Sequence, residues 1–430
     1  MTRRTTLAGR ILKYGLVIGA VALFVLVVAN LALGDKRIDQ KVEHEYPVAS
    51  EQFRRSIDVL LGPQLMAGNR VEALVNGDRI FPAMLEAIRG ARRSITFEMY
   101  IFAEGEAGEK FTAAFEERAR AGVKIHFLYD ALGSEKIDKR YLERLRNAGA
   151  EVAAYNPLRW YTLATMNNRT HRKVMVVDGR VGFTGGAGVQ DEWLGDAQDL
   201  AHWRDTHFRI EGPAVAQMQA VFMENWIETT GRVLHGEAYF PPIPQAGRQL
   251  AQVMLSSPGG GGESMQLLYL LSIAAATKSI RLANAYFIPD EVEVDVLVEA
   301  ARRGARVQVI VPGPVIDNKS VRRASRSSWG KLLRAGVEIY EFQPTMFHVK
   351  SLVVDGLWTT VGSTNFDNRS FSTNDEANLN VLDAGFAAEQ ERIFDADLKR
   401  SRRVTLEAWE GRPWKDKVLD AAWDLLSSQL

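Results

Sequence analysis

The feature that most constrains this chain is that it repeats itself. Ala91-Arg-Arg-Ser94-Ile95 leads into Thr-Phe-Glu-Met-Tyr100-Ile-Phe, and Ala276-Thr-Lys-Ser279-Ile280 leads into Arg-Leu-Ala-Asn-Ala-Tyr286-Phe-Ile. Further on, Arg120-Ala-Gly122-Val-Lys-Ile-His-Phe-Leu-Tyr is answered by Arg303-Gly304-Ala-Arg-Val-Gln-Val-Ile-Val-Pro, and Ala148-Gly149-Ala-Glu151 by Ala335-Gly336-Val-Glu338. The offset stays near 182 to 187 residues. Self-similarity at so long a period means two like units in one polypeptide. In each copy an amphipathic helical stretch precedes a short run rich in β-branched and aromatic residues, and glycines 122, 149, 304 and 336 end helices before the next strand. The order strand, helix, strand, helix predicts two α/β domains related by a pseudo-two-fold axis.

The 430 residues suffice for two domains of ordinary size. Pro241, Pro242 and Pro244 mark the boundary. The first domain is expected over 61–244 and the second over 245–400, with a linker at 36–60 and a helical tail at 401–430. Gly259 to Gly262 open a helix, but no Gly-Lys-Ser/Thr and no dinucleotide-binding spacing follows, so the reading is a flexible loop rather than a phosphate cradle. The tail carries Trp409, Trp414 and Trp423 among charges. Two readings stand for it: an interfacial helix, or packing of those rings against the second domain.

Residues 1–35 differ from the rest. Arg3, Arg4, Arg10 and Lys13 precede an uncharged apolar run from Tyr14 to Gly34, and about 20 such residues in a helix span the roughly 30 Å of bilayer hydrocarbon. A cleaved signal peptide competes with this reading, since Ala29 and its small neighbours suit a cleavage site. The run is long for a signal core, so an N-terminal transmembrane helix serving as a membrane anchor is expected. The leading basic residues place the N-terminus in the cytoplasm and the rest of the chain on the outer face of the cell membrane; Lys36, Arg37 and Lys41 oppose that orientation.

Composition narrows the chemistry. Lys+Arg and Asp+Glu both total 53, so the chain lacks the basic excess with which nucleic-acid binders neutralise phosphates. No nucleic-acid partner is expected, and no obligate protein partner is evident. The absence of cysteine removes thiolate nucleophiles, disulfides and Cys-ligated zinc. His202, Asp205 and His207 are of metal-ligating type and close in sequence, but no HExxH or paired Asp-x-Asp accompanies them. No metal or other cofactor is expected.

Two segments carry the chemistry. His171-Arg-Lys173-Val-Met-Val-Val-Asp178 runs on to Gly185-Gly186, and His348-Val-Lys350-Ser-Leu-Val-Val-Asp355 runs on to Gly362-Ser363-Thr-Asn365. The chain has only seven histidines, so two chance copies at corresponding places in the repeats are remote. A lone His on a strand is ordinarily a core residue; the pairing reverses that reading. Successive strand residues alternate faces, so each His shares a face with the Lys two residues on. Two such strands meeting at a pseudo-dyad bring two imidazoles and two ammoniums together. The lysines can hold nonbridging phosphate oxygens while one imidazole attacks phosphorus and the other protonates the leaving oxygen. Asp178 and Asp355 belong to the motifs, but with Gly179 and Gly356 behind them they read mainly as turn residues capping their own backbone.

These motifs resemble the twin HKD motifs of the phospholipase D superfamily, over about residues 60 to 400. The resemblance is strongest to the bacterial cardiolipin synthase group, through Gly362-Ser-Thr-Asn-Phe-Asp367-Asn-Arg369-Ser370-Phe371, Asn374-Asp-Glu376 and Trp203-Arg-Asp205-Thr-His-Phe-Arg-Ile-Glu-Gly-Pro213. It implies a covalent phosphohistidine intermediate formed without metal, His171 as nucleophile, and His348 as general acid and then base. It also implies that Asp205 and Glu376 each orient an imidazole; the plainer alternative for Asp205 is an ion pair with Arg204. Ser363 and Asn365 are implied as supporting residues, and Gly188 stands where the first motif usually ends in Asn. The activity implied is transfer of a phosphatidyl group from phosphatidylglycerol to a second phospholipid at the membrane, giving cardiolipin. The same residues also serve a phospholipase D hydrolase or, less in keeping with the neutral charge, a nuclease.

Overall fold

The computed structural model describes residues 7–32, 38, 40–43, 46–157, 167–258, 263–415, 417 and 419. The first half contributes Met66–Val75 (β1), Ser94–Met99 (β2), Lys124–Asp130 (β3), Glu151–Tyr155 (β4), Lys173–Val177 (β5), Val181–Gly185 (β6) and Thr206–Glu211 (β7). The second contributes Gln249–Ser256 (β8), Ser279–Asn284 (β9), Phe287–Ile288 (β10), Arg306–Pro312 (β11), Glu338–Phe342 (β12), Lys350–Val354 (β13), Trp358–Gly362 (β14), Phe366–Asp367 (β15), Glu376–Leu382 (β16) and Ser401–Val404 (β17).

All but β10 and β15 join one 15-stranded sheet in the order β17-β12-β11-β9-β13-β14-β16-β8-β1-β7-β6-β5-β2-β3-β4. Read outward from the antiparallel β1–β8 seam, the order is the same in both directions until β17. The seam is therefore the trace of the pseudo-dyad. In each half three parallel strands (β2, β3, β4; β9, β11, β12) continue into four antiparallel ones (β5, β6, β7, β1; β13, β14, β16, β8).

Parallel strands are covered by helices on both faces, so their residues are apolar without alternation. All six residues of β2 are buried. Phe97 at its centre meets Phe102, Phe115 and Phe127 with ring centroids 5.0 to 6.1 Å apart, and truncating it to Ala is expected to cost about 3–5 kcal/mol. A second cluster bridges the halves: Val221, Phe222 and Trp226 of the helix Val215–Thr230 pack with Val253 of β8 and with Ala377, Leu379 and Val381 of β16.

The stretch 36–60, expected as a linker, is docked in its described part. Ile38 exchanges hydrogen bonds with the Gln266 side chain (N–H to Oε1 2.8 Å). The helix Glu51–Leu60 is capped by Ser50, whose Oγ accepts from the Phe53 amide. Phe53 and Ile57, one turn apart, enter the second half's core, with Phe53 edge-on to Trp358 at 5.3 Å. The chain thus packs on its second half before building its first.

The tail also differs from expectation. It begins as β17, antiparallel to β12, because edge strand β12 leaves a row of backbone groups to pair. Trp409 then packs on Gly330, where a Cβ would lie 2.4 Å from the indole. Of the two readings for the tail tryptophans, Trp409 follows the packing one. Trp414 is exposed, and Trp423 lies outside the described residues, as does the Gly259 to Gly262 loop.

Leu7–Ala32 forms one helix of 26 residues, with side chains described from 13 to 25; Leu16, Ile18 and Phe24 among them are exposed. Among the described residues no helix is long and apolar enough to cross a membrane. Of the expected anchor over 1–35, residues 1–6 and 33–35 lie outside them.

Candidate active site

The two motif strands lie on either side of the seam, and short connections between the halves bring their leading residues together. His171 donates its amide to Asp375 O (2.9 Å), and His348 donates its amide to Arg204 O (2.8 Å). These bonds set Glu376 beside His171 and Asp205 beside His348. The Nδ1 of His171 is 2.9 Å from Glu376 Oε1, and the Nδ1 of His348 is 2.8 Å from Asp205 Oδ2. The carboxylates are exchanged: each half's histidine is held by a carboxylate of the other half. Spacing along the chain, 34 and 28 residues from the nearest upstream motif histidine, gives no hint of the exchange. Arg204 pairs instead with Asp397 (2.8 and 2.7 Å), which disposes of the simpler reading of Asp205.

A carboxylate on Nδ1 fixes that nitrogen as the N–H and leaves Nε2 as the lone-pair atom. Burial pushes the His171 imidazole down to about 4, so it is neutral near pH 7. Burial also lowers His348, and Lys350 Nζ, 3.0 Å from both of its ring nitrogens, adds to the effect. Burial opposes ionisation of Asp205 and Glu376, yet the facing imidazoles outweigh it and hold both carboxyls below their usual range.

Lys173 and Lys350 are buried and donate to the carbonyls of His171 and His348 (2.8 and 2.9 Å). Burial lowers Lys173 to about 7, with the charge of Lys350 contributing, and lowers Lys350 to about 8. The carboxylates of Glu376 and Asp205 offset only part of that burial.

The remaining motif residues divide. Asp178 and Asp355 do not line the cleft. Both sit in the left-handed region (φ 53° and 54°). Asp178 accepts the amides of Arg92, Arg93 and Ser94 (2.9, 2.7 and 3.0 Å), and Asp355 those of Thr277, Lys278 and Ser279 (2.9, 2.7 and 2.9 Å). They tie the far end of each motif strand to the chain entering β2 and β9, so they cap another segment's backbone rather than their own. Asn365 lines the cleft. Ser363 does not; its hydroxyl donates to Glu376 Oε2.

The first copy has Gly186 in place of Ser363, and a Cβ there would lie 2.2 Å from Asp205 Oδ1. The donor comes instead from Trp193, whose Nε1 is 2.9 Å from Asp205 Oδ2. Gly188 lies under the same indole, with Trp193 Cζ3 3.2 Å from where its Cβ would be. Nothing in the spacing singles out Trp193; the only sign is the donor missing at Gly186. Tyr100 flanks His171 edge-on at 5.1 Å, and Trp193 flanks His348 at 5.3 Å. His202, Asp205 and His207 do not converge: His202 pairs with Asp199 and Asp205 is engaged with His348. Among the described residues no group of three such side chains is placed to hold a metal ion.

Comparison with known families gives a match to "Cardiolipin synthase, PLD-like domain" over residues 84–226 and 269–398, one stretch per half. The chain belongs to this family. A cardiolipin synthase of Geobacillus sp. (strain WCH70) is 37% identical over 360 residues, covering 83% of this chain and 72% of that protein. Cardiolipin synthase A of Pseudomonas aeruginosa (strain LESB58) is 38% identical over 343 residues, covering 80% and 69%. Among solved structures, the phosphatidylserine synthase of Haemophilus influenzae Rd KW20 superposes with a TM-score of 0.65 at 13% identity, over 88% of this chain and all of that one. The polyphosphate kinase of Porphyromonas gingivalis gives 0.53 at 12% identity, over 92% and 57%. Both show the fold alone. With the two intact motifs, the family makes the protein an enzyme of the phospholipase D superfamily.

Proposed function

We propose that the enzyme transfers a phosphatidyl group from phosphatidylglycerol to a second phospholipid, giving cardiolipin through a phosphohistidine. The observation that carries this reading is the exchanged pairing, which gives one cleft two oriented imidazoles beside two buried lysines. His171 Nε2 attacks phosphorus while Lys173 and Lys350 take up the charge on the nonbridging oxygens. The P–O bond to the glycerol head group breaks, and that oxygen takes a proton from His348. The approach of an anionic phosphodiester raises His348 and equips it to carry this proton. The entering hydroxyl then gives its proton to His348, bonds phosphorus and releases His171. The names of the curated relatives support the lipid substrates. The apolar run at the N-terminus supports a single membrane anchor, with the catalytic part on the outer face.

Mass spectrometry of lipids after incubating the detergent-solubilised full chain with phosphatidylglycerol, with and without phosphatidylethanolamine, tests this. Cardiolipin with free glycerol is expected, and ethanolamine release would identify phosphatidylethanolamine as a second donor. His171→Ala and His348→Ala should each abolish the product. Phosphatidic acid alone would make the enzyme a hydrolase.

A further inference from the structure

The two halves share strands, motifs and lysines, yet the cleft between them is not symmetric. Beside His171, Tyr100 is backed by Gly133 from the loop after β3, where a Cβ would lie 2.5 Å from the ring. In the second half the equivalent Tyr286 lines the cleft with His348, its backbone anchored next to the motif by the Ala285 amide on Val349 O (2.9 Å). Its hydroxyl donates to Asp317 Oδ2 (2.6 Å), from the loop after β11. The parallel pair β10–β15 then sets Asp367 opposite Ile288, two residues on from Tyr286. Asp367 takes the Ser370 amide on Oδ1 (2.8 Å). Tyr286, Asp317, Asp367 and Asn374 line the cleft with both histidines, whereas the first half contributes no carboxylate to that lining.

Two further observations mark the cleft as built for a ligand. Asn365 and Asn374 are 5% and 7% exposed, and the Oδ1 of each is buried without a hydrogen-bond partner, a costly arrangement unless something supplies the donor. Asp367 has no part in the phosphoryl chemistry, and its burial pushes the carboxyl up to about 7. Near neutrality a large share of it is uncharged, so it can meet a hydroxyl without repelling the phosphodiester beside it.

We propose that Tyr286, Asp317 and Asp367 form a polyol subsite on the His348 side of the cleft, which takes the vicinal hydroxyls of a glycerol head group. The inference rests on the phosphatidyl-transfer reading and adds the substrate class read by that site. The leaving alcohol takes its proton from His348 and the entering alcohol returns one to it, so both occupy the same side of phosphorus. One subsite therefore reads the head group of the donor and that of the acceptor, and a lipid bearing glycerol serves in both roles.

The test is a competition in mixed micelles of phosphatidylglycerol, with the full chain and equal concentrations of deuterated glycerol and 1-propanol. Mass spectrometry reads deuterated phosphatidylglycerol against phosphatidylpropanol as a ratio, independent of total activity. The wild type should favour glycerol by about tenfold or more, as lost hydrogen bonds to a site built for hydroxyls predict. Asp367→Asn, which keeps the cap on Ser370, and Tyr286→Phe should each bring the ratio down about tenfold. Transfer to both alcohols without preference, or variants that keep the wild-type preference, would overturn the subsite while leaving the transfer reading intact. Phosphatidic acid as the only wild-type product would remove the transfer reading and the subsite with it.

Discussion

Replacing Glu376 by Gln changes one side-chain group and strikes the proposed nucleophile, His171, from the opposite half of the molecule. Glu376 is buried, with Oε1 and Oε2 at 2.9 and 3.1 Å from His171 Nδ1 and Oε2 also accepting from Ser363. Two effects combine. The charge-assisted hydrogen bond is worth about 1.5–3 kcal/mol, or roughly 10- to 150-fold in rate if realised fully in the transition state. In addition, the amide NH₂ of Gln can donate to Nδ1, which moves the ring proton to Nε2 and removes the lone pair that attacks phosphorus. An Asp-to-Asn change that inverts a catalytic tautomer in this way lowers kcat by about 10⁴ in serine proteases. A fall of about 10³ to 10⁴ in the first step is therefore expected, read as the single-turnover release of glycerol from phosphatidylglycerol. The fold should persist, because Gln fills the same volume and near-ultraviolet circular dichroism should be unchanged. A folded variant releasing glycerol within about tenfold of wild type would refute the orienting role of Glu376, and with it the claim that the exchange matters to catalysis.

Asp178→Ala strips three backbone amides of their acceptor and should destabilise the protein by about 2–4 kcal/mol. It should leave single-turnover rates of the folded fraction nearly unchanged, as thermal melts beside kinetics will show. Gly188→Asn, which restores the usual motif residue, brings a Cβ to 3.1 Å from both the Cβ and O of Ile101. It should lower stability by about 1–3 kcal/mol with no gain in turnover; an active, equally stable variant would contradict the packing described. Glu98, buried with Oε2 unpartnered and pushed up to about 7 by that burial, favours the folded state below its unfolded value and loses that contribution as pH rises through about 7. Denaturant unfolding of Glu98→Gln should match wild type near pH 4.5 and exceed it by up to about 3 kcal/mol at pH 8.

The parts of this architecture that repeat locally are legible in sequence. Each strand-helix unit is written twice, whereas the histidines lie two residues ahead of β5 and β13, so strand alternation alone does not set them beside their lysines. What escapes the sequence is whatever depends on one half meeting the other. The partner of Glu376 lies 205 residues away, and no spacing rule tells whether a carboxylate turns to its own histidine or across the seam. Asp178 and Asp355 carry correct turn chemistry, but their acceptor oxygens serve segments 84 to 86 and 76 to 78 residues distant. The helix Glu51–Leu60 precedes the first half and packs on the second, because its Phe53–Ile57 face finds its complement at Trp358. Trp193 is invisible as a donor until Gly186 is seen to leave Asp205 short of one.

The exchange across the seam gives the protein a built-in interlock. Either half folded alone would own a histidine, a lysine and a carboxylate, yet neither would own a matched pair. Any motion that parts β1 from β8 strips the support from both imidazoles together. A molecule caught half-assembled or half-unfolded thus has neither imidazole oriented, and the site comes into being only when the two halves have closed.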